Sequence, residues 1–269
     1  MSWRGRAGWS RYPRIILTCW RAAVATELEY RLNFVTGALL SLFWMGWAAA
    51  GVAVYFQFAG ELVGWTYPEL VVVIGLFFTM NGVRQAFLQP NLDAMTEHVR
   101  RGTLDFLLTK PVDAQLLVSL RHLYVGNLLD PFLGLGVVAA GVVASGHGMS
   151  VVDLAAFVLM FVVAVLVLYA LVVALMAVSI RLNGSEEVGQ ISFGLVELTR
   201  FPVDLYRDPL RTAMTVVPVV LLTTLPAQAV LGRISATSVV VAAGAAAVAV
   251  AGASLLWRRA LRGYTGASS

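Results

Sequence analysis

The chain has 269 residues, 59% hydrophobic and 13% charged, where an ordinary soluble domain carries about 25% charged residues; the apolar surplus lies in runs of about 20, long enough to cross a bilayer, which excludes an ordinary soluble fold. The net charge of +4 comes from Arg and Lys at the ends of these runs, where the charge bias of membrane loops and anionic lipid place them, so it does not indicate nucleic acid. One cysteine, Cys19, excludes an intrachain disulfide and a Cys-rich zinc site.

The Arg- and Trp-rich start, residues 1–14, is not followed by a short apolar core with a cleavage site. No signal peptide is expected, and insertion falls to the first span. Within residues 1–30, Ile15, Ile16, Trp20, Val24 and Leu28 recur at helical spacing between Arg11, Arg14, Arg21, Glu27 and Glu29. That pattern fits a helix lying in the membrane interface. Span 1 is expected at residues 32–58, long enough to cross with tilt. The loop 59–68 has no Lys or Arg and reads as outside. Span 2 follows at 70–88, with Arg84 near its inner end snorkelling to the interface.

Residues 89–114, QPNLDAMTEHVRRGTLDFLLTKPVDA, differ in kind. Pro90 and Pro111 bracket the stretch. Leu92, Met95, Val99, Leu104, Phe106 and Leu107 are interleaved with Asp93, Glu97, Arg100, Arg101 and Asp105, and Gly102 suits a left-handed helix cap. The reading is an amphipathic insert on the positively charged side of the membrane.

Span 3, residues 116–143, is interrupted by Arg121, His122 and Asp130-Pro131. After a Gly-rich outer loop at 145–150, Ser150 and Asp153 form a helix-start signature for span 4, residues 151–180. Asn183-Gly184 then turns the chain, and Ser185, Glu186 and Glu187 open another helix. Residues 186–232 read two ways: span 5 is either 191–203, which carries Glu197 and Arg200, or 214–231, which Pro218 and Pro226 break. Span 6 is expected at 238–257. Its Ala245, Ala249 and Ala253 recur every four residues, a face that allows close helix contact. Arg258, Arg259 and Arg262 then anchor a cytosolic tail, 258–269. The fold class is all-α: a single transmembrane domain, 31–257, of six crossings with both termini inside.

No GxxxxGK[ST] phosphate loop, HExxH zinc motif or GxSxG nucleophile elbow occurs, and His98, His122 and His147 sit in separate regions. No cofactor, metal or catalytic residue is therefore expected in this chain. Ionisable residues inside spans are functional candidates by default. Asp130, near the middle of span 3, reads either as a polar site in a translocation path or as a carboxyl hydrogen-bonded within the bundle. Glu197 and Arg200, three apart, either pair on one helix face or contact substrate.

Glu29-Tyr30-Arg31 before span 1, RGTLDFLLTKPVDAQLL from Arg101 to Leu117, FPVDLYRDPLR from Phe201 to Arg211, and Leu225-Pro226-Ala227-Gln228-Ala229 occur in this order. Across nearly its whole length the chain resembles the permease subunits of type-2 ATP-binding-cassette transporters. It is most similar to the bacterial branch that pairs with antibiotic- and sodium-export-like ATPases. The resemblance implies six helices, an N-terminal interfacial helix, a cytosolic coupling helix between spans 2 and 3, and an outer re-entrant hairpin before span 6. It moves span 5 to 185–203 and makes 204–232 the re-entrant element. That parse leaves Arg207, Arg211 and Arg233 outside, against the charge bias.

Apart from the resemblance, the 89–114 insert needs a partner. Glu97, Arg100, Arg101 and Asp105 would make polar contacts to an ATPase groove, and Leu104 and Phe106 the apolar anchor; the other reading of the insert is a helix lying on the lipid interface. The expected assembly is two permeases, the second more often a different chain in this branch, with two ATPase copies that bind ATP and magnesium, in the bacterial cytoplasmic membrane. The alternatives are a self-contained secondary transporter, which needs inverted repeats not seen here, and an intramembrane lipid-modifying enzyme.

Overall fold

The computed structural model describes residues 11–27, 31–58, 60–109, 113–185 and 187–264. The chain is almost entirely helical there, with no strand among the described residues beyond one isolated bridge between Leu62 and Trp65. In chain order the helices are α1 (Arg11–Glu27), α2 (Arg31–Phe56), α3 (Tyr67–Val83), α4 (Gln89–Arg100), α5 (Asp105–Leu108), α6 (Ala114–Leu120), α7 (Asp130–Ala144), α8 (Val151–Arg181), α9 (Glu187–Glu197), α10 (Leu210–Val216), α11 (Val220–Val230) and α12 (Ala236–Arg262). Five stretches are long and apolar enough to cross a bilayer: Val35–Phe56, Tyr67–Arg100, Val125–Ala144, Val151–Arg181 and Ala236–Arg262. α10 and α11 meet at 90°, the shape of a broken span or re-entrant loop.

Pro90 does not end span 2. α3, a single π turn at Arg84–Leu88, and α4 run on as one 34-residue rod, about 50 Å long. A proline inside a helix leaves the carbonyl four residues back without its donor. Here that carbonyl is Ala86 O, and it accepts from the Tyr124 amide at 2.9 Å. Asn91, fully buried, donates to Phe87 O at 2.7 Å and His122 O at 2.8 Å, and its Oδ1 accepts from the His122 amide at 2.8 Å. The irregular backbone between α6 and α7 is thus satisfied by the rod, as non-helical chain at membrane depth requires.

Span 3 is consequently broken: α6 stops at Leu120, and a 3-10 turn at Val125–Asn127 precedes α7. Asp130 is therefore the first residue of α7 rather than the middle of a span, with Pro131 in the first turn, where a missing amide costs nothing. The stretch assigned to span 5 is also shorter than expected. α9 has 11 residues and continues only as a 3-10 turn, Leu198–Arg200. Together they reach about 20 Å, below the roughly 30 Å of a hydrocarbon core. Pro202 explains the stop, because it forces Phe201 into extended backbone (φ −119°, ψ 154°).

The closest helix seam joins α3 to α7. Gly75 of α3 faces Gly134 of α7, while Gly82 of α3 packs on Asp130-Pro131 and Gly141 of α7 packs on Pro68 and Val72. A β-carbon on Gly75 would lie 2.7 Å from the Val138 amide nitrogen, and one on Gly82 would lie 2.6 Å from Pro131 Cδ. The second seam joins α12 to α8 through small residues. Ala242, Ala246 and Ala253 are buried on it, whereas Ala245 and Ala249 are half-buried at its edge. Of the three alanines expected to form the contact face, only Ala253 lies at its centre.

The far end of the bundle is tied by charge. Arg233 pairs with buried Glu69 at 2.5 Å and donates to Gly64 O at 3.3 Å. Arg211 pairs with Asp204 at 3.2 Å, and Trp65 Nε1 donates to the other oxygen of Asp204 at 3.3 Å. Two of the three arginines that contradicted the charge bias are thereby neutralised within the chain.

Candidate coupling tip and polar seam

The rod carries two places where polar chemistry collects. The first is its tip. α4 ends at Gly102, whose positive φ (65°) lets the Thr103 amide turn back to His98 O at 2.9 Å, closing the helix end. Glu97 sits one turn back and is paired with both Arg100 and Arg101. α5 follows at once, with Asp105 in its first turn and Phe106 projecting, 74% exposed. Leu104 does not project: it is fully buried in the main core, beside Leu107. Of the two apolar residues expected to anchor a partner, only Phe106 is exposed. Lys110 and Pro111, which close the sequence motif, lie outside the described residues.

The tip is held firmly. The Thr96 and Ser179 hydroxyls hydrogen-bond at 3.0 Å, tying α4 to the end of α8. Gly184, at φ +78°, comes so close that a β-carbon there would sit 2.6 Å from Thr96 O. The Asn183-Gly184 turn thus braces the rod. On the other side, Gln115 in α6 donates to Tyr169 Oη of α8 at 3.2 Å and to Ser254 Oγ of α12 at 3.1 Å. Trp20 of α1 donates from Nε1 to Leu120 O at 2.9 Å.

The second place is a seam between the rod and α9. Arg84 was expected to snorkel outward, but it is 4% exposed. Its guanidinium donates to Asn81 Oδ1 at 3.0 and 3.3 Å and to Gln89 Oε1 at 2.6 Å, and lies 5.8 Å from the Phe193 ring centre. Gln89 in turn donates to Asp93 Oδ1 at 2.7 Å. Farther along the same seam, Glu197 and Arg200 are paired at 2.8 Å, and Arg200 lies 5.1 Å from the Phe77 ring. Asp130 is elsewhere: its buried carboxylate accepts from Ser41 Oγ of α2 at 2.7 Å and Asn127 Nδ2 at 2.8 Å. That is the hydrogen-bonded carboxyl of the two readings open for it, placed at a helix start where negative charge is favoured.

The structure therefore joins Glu197 to Arg200 and gathers Glu97, Arg100 and Arg101, but separates Asp130 from both groups. Arg84 and its amides escaped the sequence reading because a charge near a span end usually reaches out. The signal available was Asn81, Arg84 and Gln89 on consecutive helical turns of one apolar run. Among the described residues no cluster of three or more His, Cys, Asp or Glu has the geometry for a metal ion.

A helical bundle with five membrane-length stretches and a charged projecting tip agrees with the family comparison, in which the sequence profile described as ABC-2 family transporter protein matches residues 42–268. The chain belongs to the ABC-2 transporter family. No curated protein and no solved structure matches it. As an ABC-2 permease it is a membrane-embedded transport subunit of a system whose family works with an ATPase subunit. The profile spans both the tip and the seam, and begins inside α2.

Proposed function

We propose that this permease forms half of the translocation pathway of an ATP-driven exporter and receives its drive at the tip of the rod. Two ATPase copies bind ATP and magnesium on the cytosolic side. A second permease, a different chain, completes the pathway. Glu97, Arg100, Arg101 and Asp105 make the polar contacts to the ATPase, and Phe106 fills an apolar pocket in it. Both termini lie in the cytosol of a bacterial cell, and the far end, with its Glu69–Arg233 pair, faces outward.

The observation that carries this reading is the continuity of the rod. Tyr67–Arg100 is unbroken from the far end to the charged tip. A push on the tip then moves α3 as a rigid element, and through the glycine seam α7 moves with it. ATP binding biases the two permeases between inward- and outward-open states through the difference in ATPase affinity for each.

Affinity purification of the tagged permease from its native membrane tests this. The expected result is an ATPase in stoichiometric amount, lost when Arg101→Glu is combined with Asp105→Arg. Recovery of the permease with no ATPase, or full ATP-dependent transport in the double variant, contradicts the reading.

A further inference from the structure

The Arg84 site points to a substrate class. A guanidinium has five N–H donors and stays charged. Arg84 spends three of them on neutral amide oxygens, one on Gln89 and two on Asn81. One N–H on each terminal nitrogen is left without an acceptor among the described residues, and none of the ion pairs among those residues includes Arg84. The two carboxylates within its electrostatic reach are Asp93 and Glu197. Each is engaged elsewhere, Asp93 by the Gln89 amide and Glu197 by Arg200. A buried charge with no direct counter-ion is costly, and proteins ordinarily pair it. Here the fold instead pre-orients it, with Asn81 and Gln89 fixing both sides of the fork.

The surroundings fit an amphiphile. The Phe193 ring lies over the guanidinium while 48% of its own surface is exposed, so this one side chain of α9 stands between the buried charge and the outside. Gly189 on the same helix lets α9 pack closely on the amide that orients the fork: a β-carbon there would be 3.3 Å from Gln89 Nε2, tighter than ordinary contact. Phe193 covers the charge on the α9 side, Ile191 is a second exposed apolar residue of that helix, and Asn81 and Gln89 of the rod hold the charge from behind.

Building on the transport reading above, we infer that Arg84 is the recognition point for a substrate with an apolar body and an anionic head, a phosphate or carboxylate. The two free N–H groups take the head, and the apolar body lies along α9. Fork-shaped donors suit such oxyanions better than a point charge does.

The test uses the full chain in maltoside micelles and four probes: dodecyl phosphate, dodecanol, dodecyltrimethylammonium and inorganic phosphate. Dodecyl phosphate is expected to bind most tightly. Arg84→Gln should weaken it about tenfold or more, the loss of a charge-assisted hydrogen bond, while leaving dodecanol unchanged. Phe193→Glu, at an open position, should weaken it similarly by placing a carboxylate over the guanidinium. If Arg84→Gln does not fold, Phe193→Glu decides alone. Dodecyl phosphate binding within twofold of the native chain in the folded variants overturns the site. A preference for dodecyltrimethylammonium does the same. Inorganic phosphate binding as tightly as dodecyl phosphate overturns the amphiphile assignment. Arg84-dependent binding without any co-purified ATPase sinks the transport reading and spares the site; the reverse outcome sinks only the site.

Discussion

Asn91 shows how much one buried amide can hold. It satisfies two carbonyls and one amide, on the rod and on the broken strand of chain at His122. Asn91→Ala leaves those groups unpaired in an apolar setting, at 1–3 kcal/mol each by general experience but partly relaxed by water. The expected loss is roughly 2–4 kcal/mol, read as a lower unfolding midpoint in micelles; an unchanged midpoint shows that the bridge is dispensable. Sequence reading found the charges of this region and missed the amides. Arg121 and His122 announce a break in span 3, but only the fold reveals that Asn91, 31 residues away, repairs it. Arg84 was legible as an intramembrane charge and illegible as a buried one, because burial depends on Asn81 and Gln89 standing on the same face and on α9 covering them.

At the level of helices, apolar runs located the long elements well, since a span must be about 20 residues of low polarity whatever its neighbours. α2, α8 and α12 follow the expected 32–58, 151–180 and 238–257 closely. Breaks were harder. Pro90 looks like a stop, yet the rod continues because Tyr124 donates to the carbonyl that Pro90 leaves free. Seam choice was harder still: alanines every four residues mark one face of α12, and the tightest contact is instead at the glycines of α3 and α7. A direct contrast follows. Gly82→Ala and Gly134→Ala should destabilise the bundle strongly, because no neighbour can yield without moving backbone. Gly244→Ala and Gly252→Ala, where a β-carbon meets nothing within 4 Å, should be neutral or stabilising by up to about 1 kcal/mol. Equal effects of the two sets of substitutions on thermal unfolding contradict this assignment.

Across the whole molecule, the two ends differ in kind. The far end is closed by Glu69–Arg233, which joins the start of α3 to the turn before α12, and by Asp204–Arg211, a local pair seven residues apart. Because Glu69 is buried, removing its partner leaves a buried charge, which is worse than losing the pair. Arg233→Glu should therefore lower the unfolding midpoint, and adding Glu69→Arg should recover part of it; no recovery means the pair does not act as a unit. The opposite end, at Arg100 and Phe106, carries charges and an exposed aromatic outward. The family implies a partner ATPase, and in the proposed function the rod between the ends is the mechanical link. Site-directed cross-linking in native membranes probes that link most directly, with the sole cysteine, Cys19, replaced by Ser. The account predicts that Phe106→Cys cross-links to an ATPase subunit, while buried Leu104→Cys and Phe58→Cys at the far end, 87% exposed, do not. An ATPase cross-link at position 58 with none at 106 would contradict it.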